Sequence, residues 1–355
     1  MAEAAKGRGA RSNASGRYEP EVVEAFDDGW TDDDAGAVPL RTTLTPEHAR
    51  TIIAKNTSPD IGFDRSINPY KGCEHGCIYC YARPSHAFMG LSPGLDFESR
   101  LFFKPDAARL LEQDFLRPRY LCKRIHIGGN TDPYQPVERE LRSTRSILEV
   151  MQRFRHPYSL ITKSVLIARD ADILGPMGRS GLASACVSIT TLDRGLARAM
   201  EPRASTPAKR LEAVSRLAEA GCPVSVAFAP VIPGLNDHEL ESVLEAAAKA
   251  GATSAFYVTL RLPLEIKDLF REWLADARPE RAARVMSLIR QTRGGKDYDA
   301  DWSQRMKGTG PVAELIAARF KAAVKRYGLD GPRVPLDETH FRVPADARPQ
   351  LELFG

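Results

Sequence analysis

Cys73, Cys77 and Cys80 fall within eight residues as C-x3-C-x2-C, inside the stretch Asn68-Pro69-Tyr70-Lys71-Gly72-Cys73-Glu74-His75-Gly76-Cys77-Ile78-Tyr79-Cys80-Tyr81. Any fold of this chain must bring three thiols to one place. Three thiolates that close can hold one soft metal centre. They cannot complete a four-iron cluster, which takes four ligands, so one iron is left for a group that is not a cysteine. A structural zinc site is the rival reading, with His75 or His86 as the fourth ligand. Zinc sites usually pair C-x2-C with a second, distant pair, which weighs against it. A disulfide framework suits poorly a chain with six cysteines in 355 residues and no secretory start. Cys122, Cys186 and Cys222 lie in or beside apolar strand-like runs and read as small core residues.

Around the cysteines the chain alternates strand and helix patterns. Strands are expected at Ile61–Pro69, Lys123–Gly129, Tyr158–Thr162, Ala183–Thr190, Val224–Ala229 and Thr253–Leu260. Helical spacing of apolar residues is expected near Pro105–Phe115, over Glu138–Phe154 and from about Val165. Thr206 with Pro207 starts a further helix that stops at Gly221. Asn236 with Glu239 reads as a capping box for one that stops at Gly251. This alternation implies a parallel sheet with covering helices, and six units fit a partial (β/α)6 barrel. In such barrels chemistry sits on loops at the carboxyl ends of the strands, and the cysteine loop follows the first strand. Past Leu262 come helices at 264–275, 279–292 and 311–327. Four segments result: a partly disordered tail and connector over 1–58, a core domain over 59–262, a helical extension over 263–330 and an extended tail over 331–355.

Hydrophobic content of 43% and charged content of 27% are those of a soluble globular protein, and the net charge of +4 is modest. No apolar run is long enough to cross a bilayer. The cytoplasm is the expected compartment, because an oxygen-sensitive cluster fits a reducing one. Residues 1–18, rich in Gly, Ala, Ser and Arg, read as a solvated tail.

The cysteine spacing, with Tyr79 just before the third cysteine, resembles the radical S-adenosylmethionine (SAM) superfamily. That resemblance implies a 4Fe–4S cluster on Cys73, Cys77 and Cys80, with SAM on the fourth iron. It also implies reductive cleavage of SAM to a 5′-deoxyadenosyl radical, fed by an electron donor such as flavodoxin or ferredoxin. Gly128-Gly129-Asn130 stands where the superfamily often has Gly-Gly-Glu, which receives the SAM amino group. Ser188 on the fourth strand, with Lys163 or Arg203, would meet the remaining polar groups of SAM, a cation holding its carboxylate. Ile232, in Val231-Ile232-Pro233-Gly234, resembles the adenine-contact segment.

Thr131-Asp132-Pro133-Tyr134 and Glu201-Pro202 narrow the resemblance to relatives of spore photoproduct lyase, which repairs a thymine dimer in DNA. Over residues 60–260 the likeness implies that Tyr79 and Tyr81 relay hydrogen with a dedicated cysteine. The place of that cysteine is Gly129 here, so the cofactor chemistry carries over and dimer reversal does not. The tail Gln350-Leu351-Glu352-Leu353-Phe354 resembles a peptide that docks on the bacterial sliding clamp, anchoring Leu353 and Phe354 in an apolar pocket with Gln350 at the rim. That would place the substrate on DNA. Basic and aromatic residues of the 293–307 loop, among them Arg293, Trp302 and Arg305, would then meet phosphates and bases. Two other readings remain: a radical SAM enzyme acting on RNA, a peptide or a small molecule, and a non-catalytic metal-stabilised module recruited to the clamp.

Overall fold

The computed structural model describes residues 7–19, 40–331 and 335–347. The clamp-like peptide at Gln350–Phe354 lies outside the described residues. Six parallel strands form the centre: β1 (Arg65–Ile67), β2 (Ile125–Ile127), β3 (Tyr158–Thr162), β4 (Ala183–Ser188), β5 (Val224–Val231) and β6 (Ser254–Thr259). They lie in chain order, and Ile53–Lys55 adds an antiparallel edge beside β1. Each crossover carries a helix: α1 (Ala107–Phe115), α2 (Ser143–Arg153), α3 (Ala171–Arg179), α4 (Pro207–Glu219) and α5 (Leu240–Lys249). Strand-to-strand crossovers of one hand place these helices on one face. Ile67, Ile127, Leu160, Ala185 and Val226 are buried under them. The opposite face carries Ser66, His126, Ser159 and Ser184 in register across four strands. Phe63 stacks on His126 at this face, and the six-stranded parallel sheet with its covering helices is the half-barrel that the alternation implied.

The strand at Ile61–Pro69 is shorter than expected. Asn56 closes a loop by donating from its side chain to Phe63 O at 2.9 Å and from its backbone to Asp64 O at 2.8 Å, which keeps Ile61–Asp64 out of the sheet. The helix expected over Glu138–Phe154 breaks at Arg142, whose φ is 49°. The buried Glu138 carboxylate causes the restart by accepting from Thr144 N at 2.9 Å and Arg145 N at 3.2 Å. Unpaired N–H groups at a helix start need such an acceptor. Asn236 and Glu239 do not form a capping box. Asn236 is fully buried, accepts from Ile232 N and donates to Thr190 O and Pro230 O. Glu239 instead receives Leu192 N and the Thr191 hydroxyl.

Three helices follow the sheet: α6 (Ile266–Ala277), α7 (Pro279–Gln291) and α8 (Gly310–Arg326). Phe270 and Trp273 of α6 share an apolar cluster with Cys77, Ile78 and Tyr79, so the extension forms part of the support under the cysteine loop. Residues 8–14 are not a solvated tail. Arg8 and Ala10 are buried, and Gly9 N and Ala10 N donate to the Glu98 carboxylate at 2.9 and 2.8 Å. Among the described residues no helix is long and apolar enough to cross a membrane.

Candidate active site

The cysteine loop leaves a short strand at Tyr70–Lys71, which pairs with Arg100–Phe103 in a small second sheet. Cys73 N donates to Phe97 O at 2.9 Å and Ile78 N to Met200 O at 3.0 Å, so both ends of the loop are fixed by backbone. Between them Arg83 acts as a clamp. Its guanidinium donates to Cys77 O at 2.9 Å, Gly76 O at 3.1 Å, Pro93 O at 3.0 Å and Gly94 O at 2.9 Å. Its charge meets Glu98, and both side chains are fully buried. Gly76 sits at φ 65°, and a Cβ there would stand 2.6 Å from a Glu98 oxygen, so only glycine fits.

The Thr131-Asp132-Pro133-Tyr134 run, continued by Gln135, is a second clamp. The Thr131 hydroxyl donates to Gly72 O at 2.7 Å, while Gln135 donates to Gly72 O and accepts from Glu74 N at 2.8 Å. Asp132 lies 3.3 Å from His75 and accepts from the Thr162 hydroxyl at 2.6 Å and from Lys163 N at 2.9 Å. Burial would raise its pKa, but the His75 charge and these hydrogen bonds outweigh that and hold it at about 2.

The thiols themselves are buried or half-buried and free of disulfides. Burial pushes Cys77 up to about 12; a bound metal's charge is what would make such a thiol a thiolate. Among the described residues no group of three or more His, Cys, Asp or Glu side chains is set to hold a single metal ion. Cluster thiolates each bind a different iron, whereas zinc ligands share one centre, so this spacing suits a cluster. Of the two histidines proposed for zinc, His86 Nε2 lies 3.0 Å from Arg100 O and His75 Nδ1 lies 3.3 Å from Asp132.

The structure separates the two tyrosines. Tyr79 is buried, and its hydroxyl donates to Glu201 and lies 3.1 Å from the Thr190 hydroxyl. Burial would raise the Glu201 pKa, but the charges of Arg210 and Lys163 hold it at about 2. Burial and the Glu201 charge push the Tyr79 phenol well up. Tyr81 is 50% exposed, and its hydroxyl donates to Gly129 O.

Lys163 and Ser188 continue the interior rows of β3 and β4 at their carboxyl ends, and the Lys163 ammonium stands 5.8 Å over the Tyr79 ring. Asn130 N is held by the Asn68 side chain at 2.7 Å; its own amide has no hydrogen bond among the described residues. Gly128 makes a turn at φ 92°. Arg203 gives its charge to Glu74 at 2.9 Å and its N–H to His75 O, so it braces the cysteine loop. Ile232 is fully buried in the apolar cluster with Cys77 and Tyr79. In the 293–307 loop Arg293 is buried and Arg305 pairs with Asp60, so neither is a free phosphate contact. Sequence reasoning missed Arg83, Glu98, Gln135 and Arg210, because a buried ion pair or amide has no periodicity to betray it.

A family model described as the Radical SAM superfamily matches residues 67–247. A Mycobacterium tuberculosis (strain H37Rv) protein named only as uncharacterized is 33% identical over 231 residues, 64% of this chain and 68% of its own length. One from Methanocaldococcus jannaschii is 28% identical over 173 residues, 49% of this chain and 62% of its own. A solved structure of a spore photoproduct lyase mutant has a TM-score of 0.54 at 15% identity, covering 81% of this chain and 80% of its own. A second, with bound AdoMet and a dinucleoside spore photoproduct, has a TM-score of 0.53 at 15% identity, covering 80% and 79%. These two likenesses are of fold.

Proposed function

The chain belongs to the radical SAM superfamily, and from that premise we propose that its radical chemistry acts on a lesion in DNA. It is an enzyme of the radical SAM class, a class that carries an iron–sulfur cluster and SAM. Cys73, Cys77 and Cys80 would hold the cluster. Asn130, Lys163 and Ser188 would face SAM, an amide for its amino group, an ammonium for its carboxylate and a hydroxyl for its sugar. When bound, the pair supplies one-electron cleavage of a carbon–sulfur bond and with it a strong abstractor of hydrogen atoms.

The chain's own residues supply the rest. Arg83, Gln135 and Asp132 keep the loop rigid, which a positioned reaction requires. Tyr79, tied to Glu201, is a fixed wall. Tyr81 is half-exposed beside Gly129, the place of the lyase's donor cysteine, so its O–H is placed to give a hydrogen atom to a substrate radical, the tyrosyl radical left behind taking one electron from the external electron donor and one proton from solvent. The DNA reading is supported by one observation above others: the fold likeness to spore photoproduct lyase runs over four-fifths of both chains.

Deuterium transfer tests it. Label placed on the damaged nucleotides of an oligonucleotide is expected in 5′-deoxyadenosine after anaerobic turnover. Label that arrives only from RNA, a peptide or a metabolite would replace DNA as the substrate.

A further inference from the structure

We propose that Arg261, set in the positive field of the engaged Arg293 and Arg305, is a phosphate-binding subsite at the open seam of the half-barrel, and that it holds a backbone phosphate of the DNA substrate. The nucleic-acid half of this inference rests on the function proposed above.

The seam lies between β6 and the Ile53–Lys55 strand that flanks β1, the two edges of the sheet, which do not pair. The 293–308 loop covers the free edge of β6: Thr259 N donates to Met306 O at 2.8 Å and the Thr259 hydroxyl to Lys307 O at 2.9 Å. Arg305 crosses the gap to Asp60, just before β1, with two hydrogen bonds. Three guanidinium groups gather here, and the field of Arg261 is felt by both Arg293 and Asp60. Among the described residues Asp60 is the one carboxylate in an ion pair with any of them. Tyr298 and, more weakly, Asp299 also act on the charge of Arg293, and Asp299 accepts from Asp301 N.

The excess charge is partly sealed away from water. Arg293 is 2% exposed, and its hydrogen bonds go to the main-chain oxygens of Thr259, Leu260 and Gln304. Its Nε and that of Arg261 are buried without a partner. Arg261 otherwise has a contact of 3.7 Å to the Met306 sulfur, a weak acceptor. Buried charge is costly unless an anion answers it.

The guanidinium of Arg261 lies over the Tyr81 ring at 5.3 Å. Stacking uses the face of a guanidinium and leaves its N–H edge for an anion, and the forked edge matches phosphate oxygens. A phosphate on that edge sits next to the tyrosine whose hydroxyl rests on Gly129 O. The subsite therefore ties substrate backbone to the reacting side of the site. Trp302 of the same loop is 51% exposed and offers a face for a base.

The test uses the full-length, cluster-loaded protein without oxygen and a fluorescent single-stranded oligonucleotide, with binding followed by anisotropy at several salt concentrations. Arg261→Gln is expected to weaken binding about tenfold. It should also flatten the slope of log affinity against log salt by about 0.7, one phosphate contact on a single strand. Arg261→Lys should keep most of both. Inorganic phosphate should raise the melting temperature of the wild type and not of Arg261→Gln. An Arg261→Gln protein with wild-type affinity, slope and phosphate response overturns the subsite. So does one that loses SAM binding, since Arg261 would then serve the SAM carboxylate. If the wild type ignores the oligonucleotide while phosphate still acts through Arg261, the DNA reading fails and the subsite stands.

Discussion

Gly128 and Gly129 are neighbours that differ in why they are glycine. Gly128 turns the chain at φ 92°, and a Cβ there would stand 2.6 Å from the Pro133 ring. A side chain in that backbone region costs about 1–2 kcal/mol before any clash. Gly129 has room, since its nearest neighbour to a Cβ is Phe63 at 3.5 Å. Gly128→Ala is therefore expected to lower the melting temperature by several degrees, and Gly129→Cys to leave it close to wild type. The reverse order in thermal melts would mean that the turn is not built as described. Gly129→Cys also puts a thiol where the lyase has its donor, beside the acceptor of the Tyr81 hydroxyl. The motif spacing singled out both tyrosines, and it could not tell them apart. The difference comes from Glu201 and Gly129, 122 and 48 residues away in the chain.

Elements were legible where apolar periodicity sets them and obscure where a buried polar group does. The six strands and their helices follow from alternating runs, because a strand covered by helices must be apolar on that face. The break at Arg142 depends on the Glu138 carboxylate, and no local pattern announces a cap that comes from the preceding turn. Buried histidines brace other elements. His156 has its Nε2 at 2.8 Å from the Tyr120 hydroxyl and its Nδ1 at 3.0 Å from Pro157 O, which satisfies a neutral ring at both nitrogens. Burial lowers it from 6.5 to about 4, and His86 likewise. The unfolded chain takes up these protons first as pH falls. Stability from each is complete above 6.5 and lost on descending towards 4, at about 1.4 kcal/mol per pH unit. Urea melts between pH 7.5 and 5 should show this fall, and His156→Gln should flatten it by one such increment. A slope unchanged by that substitution would contradict the neutral buried ring.

The whole molecule surrounds one loop from three sides. The ends of β1 to β4 carry the residues facing its open side, α6 packs beneath it, and residues 8–14 cross over it to Glu98. The first was legible from strand order and the resemblance. The second was visible as helices without a stated role. The third was hidden, since a Gly-, Ala- and Arg-rich segment held by its backbone N–H groups looks like a solvated tail. All three converge on the cysteine loop, which on the proposed reading holds a cluster with one iron left for SAM. Electron paramagnetic resonance of the dithionite-reduced protein, with and without SAM, tests that claim most directly. The account expects the signal of a reduced 4Fe–4S cluster that shifts when SAM is added and disappears when Cys73, Cys77 and Cys80 become alanine. A signal indifferent to SAM, or one that survives loss of the three thiols, would contradict it.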